Sequence, residues 1–157
     1  MGNRHMKLEK KHYGGQLYSD ILEYYKHQVY QICFYMIGKQ NKAEEIAQTA
    51  FIEVYMKVRD YNFEKVSLKL FRITVALVLD WLRERTINGY SEIEMTESTK
   101  SIQKEILQLA VNDRLAIVLK HIVGFSVEEI SDITQLPVSS VRRKIHCSRE
   151  ALCKRVN

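Results

Sequence analysis

The stretch Phe125-Ser-Val-Glu-Glu-Ile-Ser-Asp-Ile-Thr-Gln-Leu-Pro-Val-Ser-Ser-Val-Arg-Arg-Lys-Ile-His146 decides how this chain is read. Ser126 has the character of an N-cap, with Glu129 three residues on as its capping-box partner. Glu128 and Glu129 place negative charge at the positive end of the helix they open. Ile130 and Ile133 give that helix its apolar face. Pro137 ends it and can take an early position of the next, where a missing N–H costs nothing. In that second helix Val138, Val141, Ile145 and Leu152 form one apolar stripe. Ser139, Ser140, Arg142, Arg143, Lys144, His146 and Arg149 fall outside the stripe. Two short helices, a tight turn between them and a second helix with an apolar back and a basic front form a helix-turn-helix, which lays its recognition helix in the major groove of DNA. The small residues at the start of the second helix permit close approach. Ser140, Arg142 and Arg143 are expected at base edges or phosphates, and Lys144, His146 and Arg149 at phosphates.

The remainder of the 157 residues is compatible with one domain or two small ones. A hydrophobic fraction of 46%, with one proline and six glycines, suits a packed helical core rather than a disordered or all-β chain. The formal net charge of +5 is compatible with a polyanionic partner. Cys33, Cys147 and Cys153 make no CxxC pair, and an odd count without a secretory leader suggests reduced thiols in the cytoplasm. The polar, basic start, Met1 to Lys11, has no apolar core of a signal peptide. Val66 to Leu82 is rich in Leu, Val and Ile, but Lys69, Arg72 and Asp80 interrupt it, so it reads as a core helix with no membrane insertion.

Upstream, Ile21, Leu22, Tyr25, Val29, Ile32, Cys33 and Met36 recur at steps of three and four. They predict a helix over 17–37, capped by Ser19 or Asp20 and ended by Gly38. A second helix opens at Asn41, with Glu44 as capping-box partner, and carries Ile46, Ala47, Ala50, Phe51, Val54, Tyr55 and Val58. Tyr61-Asn62-Phe63 breaks the period as a loop. Ser67 is read as the cap of a third helix reaching Glu84, with Trp81 in its core. Residues 86–100, with Asn88-Gly89 and three glutamates, read as a flexible linker. Charge divides accordingly: residues 1–85 hold 14 basic and 10 acidic side chains, 86–100 hold 1 and 3, and 101–157 hold 9 and 6. Helices around Ile102, Ile106 and Leu109, and around Leu115, Val118, Leu119 and Ile122, precede the helix-turn-helix. The expected fold is all-α: a flexible segment 1–16, a helical bundle over 17–85, the linker 86–100 and a helix-turn-helix domain over 101–157.

The run from Gly124 to Leu152, with Glu128-Glu129-Ile130, Pro137-Val138, Val141-Arg142 and His146-Cys-Ser-Arg149-Glu-Ala-Leu152, resembles region 4 of bacterial sigma factors of the extracytoplasmic-function (ECF) group. Ala43-Glu-Glu-Ile-Ala-Gln-Thr-Ala-Phe51 resembles the polymerase-binding segment of region 2 in the same group. Leu70-Phe-Arg-Ile73 with Leu79-Asp-Trp-Leu-Arg-Glu-Arg85 resembles the segment of region 2 that reads and opens the −10 element. The resemblance implies a transcription initiation factor that binds core RNA polymerase and directs it to promoter DNA. Region 2 would sit on a coiled coil of the β′ subunit, and region 4 on the β flap while reading the −35 element. Residue by residue, it implies polymerase contacts at Glu44, Glu45, Gln48 and Phe51. It implies −10 contacts at Tyr61, Phe63, Lys69, Arg72, Arg83 and Arg85, and −35 contacts on the basic front described above. An anti-sigma factor is an expected partner. Thr49, Lys69, Val75-Ala76 and Gln135 depart from the group's usual residues at their positions.

Other chemistries find little support. His5, His12, His27, His121 and His146 are scattered, with no Ser-His-Asp pattern, phosphate loop or metal spacing, and Cys147 and Cys153 do not share a helical face. No catalytic residue, cofactor, metal or small-molecule substrate is expected. The alternative is a sigma-like or helix-turn-helix regulator that binds DNA without initiating transcription.

Overall fold

The computed structural model describes residues 15–57, 63–87 and 101–156, all of them in helices or the short connections between them. The first lobe comprises α1 (Gly15–Ile37), α2 (Gln40–Lys57) and α3 (Phe63–Ile87). The second comprises α4 (Ser101–Leu107), α5 (Val111–Ile117), a π-helical turn (Val118–Val123), α6 (Val127–Thr134) and α7 (Val138–Val156). Each of α1, α2 and α3 packs on the other two.

The α1 stripe is buried as its spacing requires: Ile21, Tyr25, Val29, Ile32, Cys33 and Met36 are each at most 1% exposed. Gly38, at φ 80°, ends the helix, a backbone conformation that glycine adopts without a Cβ penalty. On α2 the buried set is Ala43, Ile46, Ala47, Ala50, Phe51 and Val54. The start of α3 differs from expectation. The helix begins at Phe63, so Ser67 is an interior residue, 5% exposed, whose hydroxyl donates to the Glu64 carbonyl at 3.0 Å. A serine bonded back to its own helix has the same local signature as a cap, which explains the misreading. Similarly, Ser19 and Asp20 lie inside α1, which starts at Gly15, and α2 starts one residue ahead of Asn41, with Gln40 Nε2 donating to Glu44 Oε1 at 3.3 Å. Trp81 is half-buried at the surface rather than in the core, with the Arg85 guanidinium 4.6 Å above its ring. The segment expected as a linker contributes its first two residues to the end of α3, and residues 88–100 lie outside the described residues. No described helix is long and apolar enough to cross a membrane.

Two features of the second lobe govern its packing on the first. Val118–Val123 widens into a π turn, closed by Gly124 at φ 92° and by a bond from the Phe125 N–H to the Leu119 carbonyl at 3.0 Å. Arg114 is 1% exposed, in the interior between the lobes. Its Nη1 donates to the Met36 carbonyl, at the end of α1, at 2.7 Å. Its Nη2 donates to the Leu107 and Leu109 carbonyls at 2.8 and 3.0 Å. The arginine thereby satisfies carbonyls at two helix ends that lack intrahelical partners, and the terminal dipoles favour its charge.

Candidate nucleic-acid interface

The helix-turn-helix is built as its sequence specifies. The Ser126 hydroxyl accepts the Glu129 N–H at 3.1 Å, and the Glu129 carboxylate accepts the Ser126 N–H at 3.1 Å, completing the capping box. Ile130 and Ile133 are buried. Gln135 closes α6 at φ 60°, the left-handed conformation that glycine takes most readily. The turn is tied by the Ser131 hydroxyl, which donates to the Leu136 carbonyl at 2.5 Å. Pro137 sits just before α7, and its carbonyl accepts the Val141 N–H at 3.0 Å.

Along α7, Val141 and Ile145 are buried and Val138 and Leu152 half-buried. One buried position escaped the hydrophobic pattern. Ser148 is 0% exposed, and its hydroxyl lies 2.5 Å from the Lys144 carbonyl and 3.1 Å from Asp113 Oδ1 on α5. Its spacing of three from Ile145 and four from Leu152 was the available signal. Opposite this back, Ser139, Arg142, Arg143, Lys144, His146 and Arg149 are exposed and Ser140 is half-buried. Their acidic neighbours hold them loosely: Arg142 Nη2 lies 3.8 Å from Glu128 Oε1, and His146 Nε2 lies 3.4 Å from Glu150 Oε1, all of them exposed side chains. Exposed pairs of this kind are worth about 0–1 kcal/mol and yield readily to a phosphate.

The residues expected to contact the −10 element do not form an equally open face. Lys69 is exposed and borders a groove of about 570 Å³ shared by Lys65, Arg72, Ala76 and Gln135. Arg72 is turned toward the second lobe, where its Nε donates to the Asp132 carbonyl at 2.8 Å. Arg83 Nη1 lies 3.6 Å from Asp80 Oδ1, and Arg85 stacks on Trp81. Tyr61 lies outside the described residues, as does the side chain of Phe63. Val75 is 6% exposed and belongs to the core, whereas Ala76 faces outward.

On α2, Glu44, Glu45 and Gln48 are exposed on one face, Glu45 paired with Lys42 at 2.9 Å. Phe51 differs from them: at 6% exposure it is part of the core, beneath a groove between α1 and α2 that Tyr18, Leu22 and Ala47 also line. The apolar residues on the outer surface of α2 are instead Ile52, Tyr55 and Met56, 55%, 62% and 73% exposed. Their steps of three and one lie off the core stripe, a signal legible in the sequence but passed over for Tyr55, which was read as core. Arg114 and Phe125 were also missed. Arg114 stands three and four residues before Ile117 and Val118, at a core position of an otherwise apolar helix.

Among the described residues no group of three or more His, Cys, Asp and Glu side chains could hold a metal. The Cys33 thiol, desolvated in the core, is pushed up to about 12. His121 is lowered by partial burial and by the nearby Arg149 and Lys120 charges.

Comparison with known proteins agrees with this architecture. Residues 21–87 match the family model of Sigma-70 region 2, and residues 99–152 that of Sigma-70, region 4. The ECF RNA polymerase sigma factor SigW of Bacillus subtilis is 33% identical over 165 aligned positions, covering 88% of this chain and 88% of SigW. The ECF RNA polymerase sigma factor SigE of Mycolicibacterium smegmatis is 26% identical, covering 86% of this chain and 60% of SigE. Among solved structures, CnrH in complex with the cytosolic domain of CnrY aligns with a TM-score of 0.69 at 18% identity, covering 88% of this chain and 86% of that one. The sigma factor RpoE, in complex with the anti-sigma factor NepR from Bartonella quintana, aligns with a TM-score of 0.70 at 17% identity, covering 87% and 94%. With both regions matched in order and the SigW similarity running through them, the chain belongs to the ECF family of RNA polymerase sigma factors.

Proposed function

We propose that this sigma factor initiates transcription by dividing promoter recognition between its lobes, with α7 reading the −35 element and α3 holding the −10 strand. The observation that carries this reading is the α7 face. Six exposed polar or basic residues stand on a helix fixed by a capping box and a buried back, in a chain that also carries a region 2 lobe. Ser139, Ser140, Arg142 and Arg143, in the first turns of α7, are the base-edge candidates; Lys144, His146 and Arg149 are the phosphate candidates. Lys69, Arg72, Arg83 and Arg85 serve the −10 strand, with Tyr61 and Phe63 as stacking partners for unpaired bases. Glu44, Glu45 and Gln48 face the β′ coiled coil of core RNA polymerase. Phe51 supports that face from behind, and the second lobe meets the β flap. The factor contributes no catalytic group or cofactor of its own. It works in the cytoplasm, and an anti-sigma factor restrains it, as NepR pairs with RpoE.

The test is reconstitution. Core polymerase with this protein, offered a promoter library, should yield run-off transcripts from promoters with a common pair of elements. Binding to core without any promoter-dependent transcript would overturn initiation as the function. Loss of duplex binding on Arg142→Ala, with binding to core unchanged, is the outcome expected for the α7 assignment.

A further inference from the structure

We propose that the two lobes form a self-occluding contact, and that engaging the −10 strand requires them to part. Three contacts cross between them. Arg114 of α5 caps the end of α1 through the Met36 carbonyl at 2.7 Å. Phe125, 2% exposed, meets Phe71 of α3 edge to face, ring centroids 4.8 Å apart at 75°. Arg72 of α3 donates to the Asp132 carbonyl of α6 at 2.8 Å. The third contact gives the arrangement its functional meaning, because Arg72 is one of the cations assigned above to the −10 strand. While the lobes are together, its guanidinium is aimed at the backbone of the helix-turn-helix domain, and Gln135 of the turn borders the same basic groove as Lys69. The α7 face has no such cover. Docking therefore withholds a −10 contact and leaves the −35 face exposed.

Scale supports the same conclusion. Elements centred 25 base pairs apart, as their names state, are separated by about 85 Å of B-DNA at about 3.4 Å per base pair. A compact chain of 157 residues has a radius of gyration of about 15 Å. Docked lobes cannot lie at both elements together on straight DNA. The thirteen residues 88–100 would add at most about 45 Å if drawn out, so parted lobes gain the reach that docked lobes lack.

This inference rests on the assignment of α3 to the −10 strand, and the experiment separates the two. Full-length Cys153→Ser protein carrying Lys26→Cys would be labelled at position 26 and at Cys147 for energy transfer. High transfer is expected for the free protein, falling when core polymerase and promoter are added. Phe125→Ala, and independently Arg114→Lys, which keeps the cation but loses the fork, should lower transfer in the free protein. Both should tighten binding of a single-stranded −10 oligonucleotide several-fold while leaving −35 duplex binding unchanged. Should either variant lose its helical circular dichroism, the other carries the comparison. Low transfer in the free wild-type protein, or no change on binding polymerase and promoter, overturns the docked state. Opening without a gain for the −10 strand overturns occlusion. Absence of −10 strand binding in every form, closed or open, overturns the assignment of α3 instead.

Discussion

The two helices that carry most of the basic side chains, α3 and α7, use them in opposite ways. On α7, Arg142, Arg143, Lys144 and Arg149 stand exposed over a buried back, with acidic neighbours that are themselves exposed. On α3, Arg72 is bound to a backbone carbonyl of the other lobe, Arg83 approaches Asp80, and Arg85 lies over Trp81. A cation in water adds affinity for DNA by releasing counterions. A cation already bonded within the protein must first exchange that contact. The difference implies that α7 is ready to bind duplex DNA as it stands, whereas α3 binds only after rearrangement.

The largest effect expected on this contrast comes from Arg114→Ala. It strands the Met36, Leu107 and Leu109 carbonyls in the interior, and should lower stability by about 3 kcal/mol. A denaturant titration reads this as a lower midpoint. A fall below about 1 kcal/mol would mean that the guanidinium is readily replaced and the junction between lobes is weak. Next, Arg142→Ala should weaken −35 duplex binding by about 1–3 kcal/mol, whereas Arg72→Ala should leave that duplex unaffected. Equal losses in a fluorescence-anisotropy titration would erase the distinction between the helices. A smaller change, about 1 kcal/mol of stability, is expected for Ser126→Ala, which dismantles the capping box. Its unfolding midpoint should shift down while the first-lobe core keeps its protection in hydrogen exchange.

The mildest probe is alkaline pH, silent under neutral conditions. Burial raises Cys33 from 9.0 to about 12 and Tyr25 from 10.0 to about 12, the latter helped by the Tyr24 and Glu129 charges. Both folded-state values exceed the unfolded ones, so the native state retains these protons longer. Their contribution to stability is full below about pH 9 and is lost progressively as the pH approaches 12. Both groups lie on α1, so alkaline unfolding should begin in the first lobe. At neutral pH a thiol reagent should modify the exposed Cys147 and Cys153 rapidly and Cys33 only on unfolding. Fast labelling of all three would contradict the burial of α1.

What could be read in advance follows the range of the interactions. The capping box, the left-handed Gln135 and the basic front of α7 are set by residues within a few positions of one another, and each was legible. The helices of the first lobe were legible from their apolar period, with starts misplaced by a few residues where Ser19, Asp20 and Ser67 imitate caps. The junction between lobes was not legible. Arginine is rarely fully buried, and nothing near Arg114 in sequence points to a carbonyl 78 residues away. Phe51 and Trp81 were misplaced for a related reason: an aromatic residue on a helix fits a core or a rim equally well until its neighbours across the lobe are known.

The π turn at Val118–Val123 makes chain length a determinant of orientation. An α-helix advances about 100° per residue, so removing one residue from this turn and restoring regular α geometry would swing everything beyond it by about that angle. Phe125 would leave Phe71, and the basic front of α7 would turn away from its present bearing relative to α5. Every side chain of the helix-turn-helix would survive such a deletion. What would be lost is the phase between the part of the second lobe that grips α1 and the part that faces DNA. In this segment, then, substitutions should be tolerated far better than single-residue insertions or deletions.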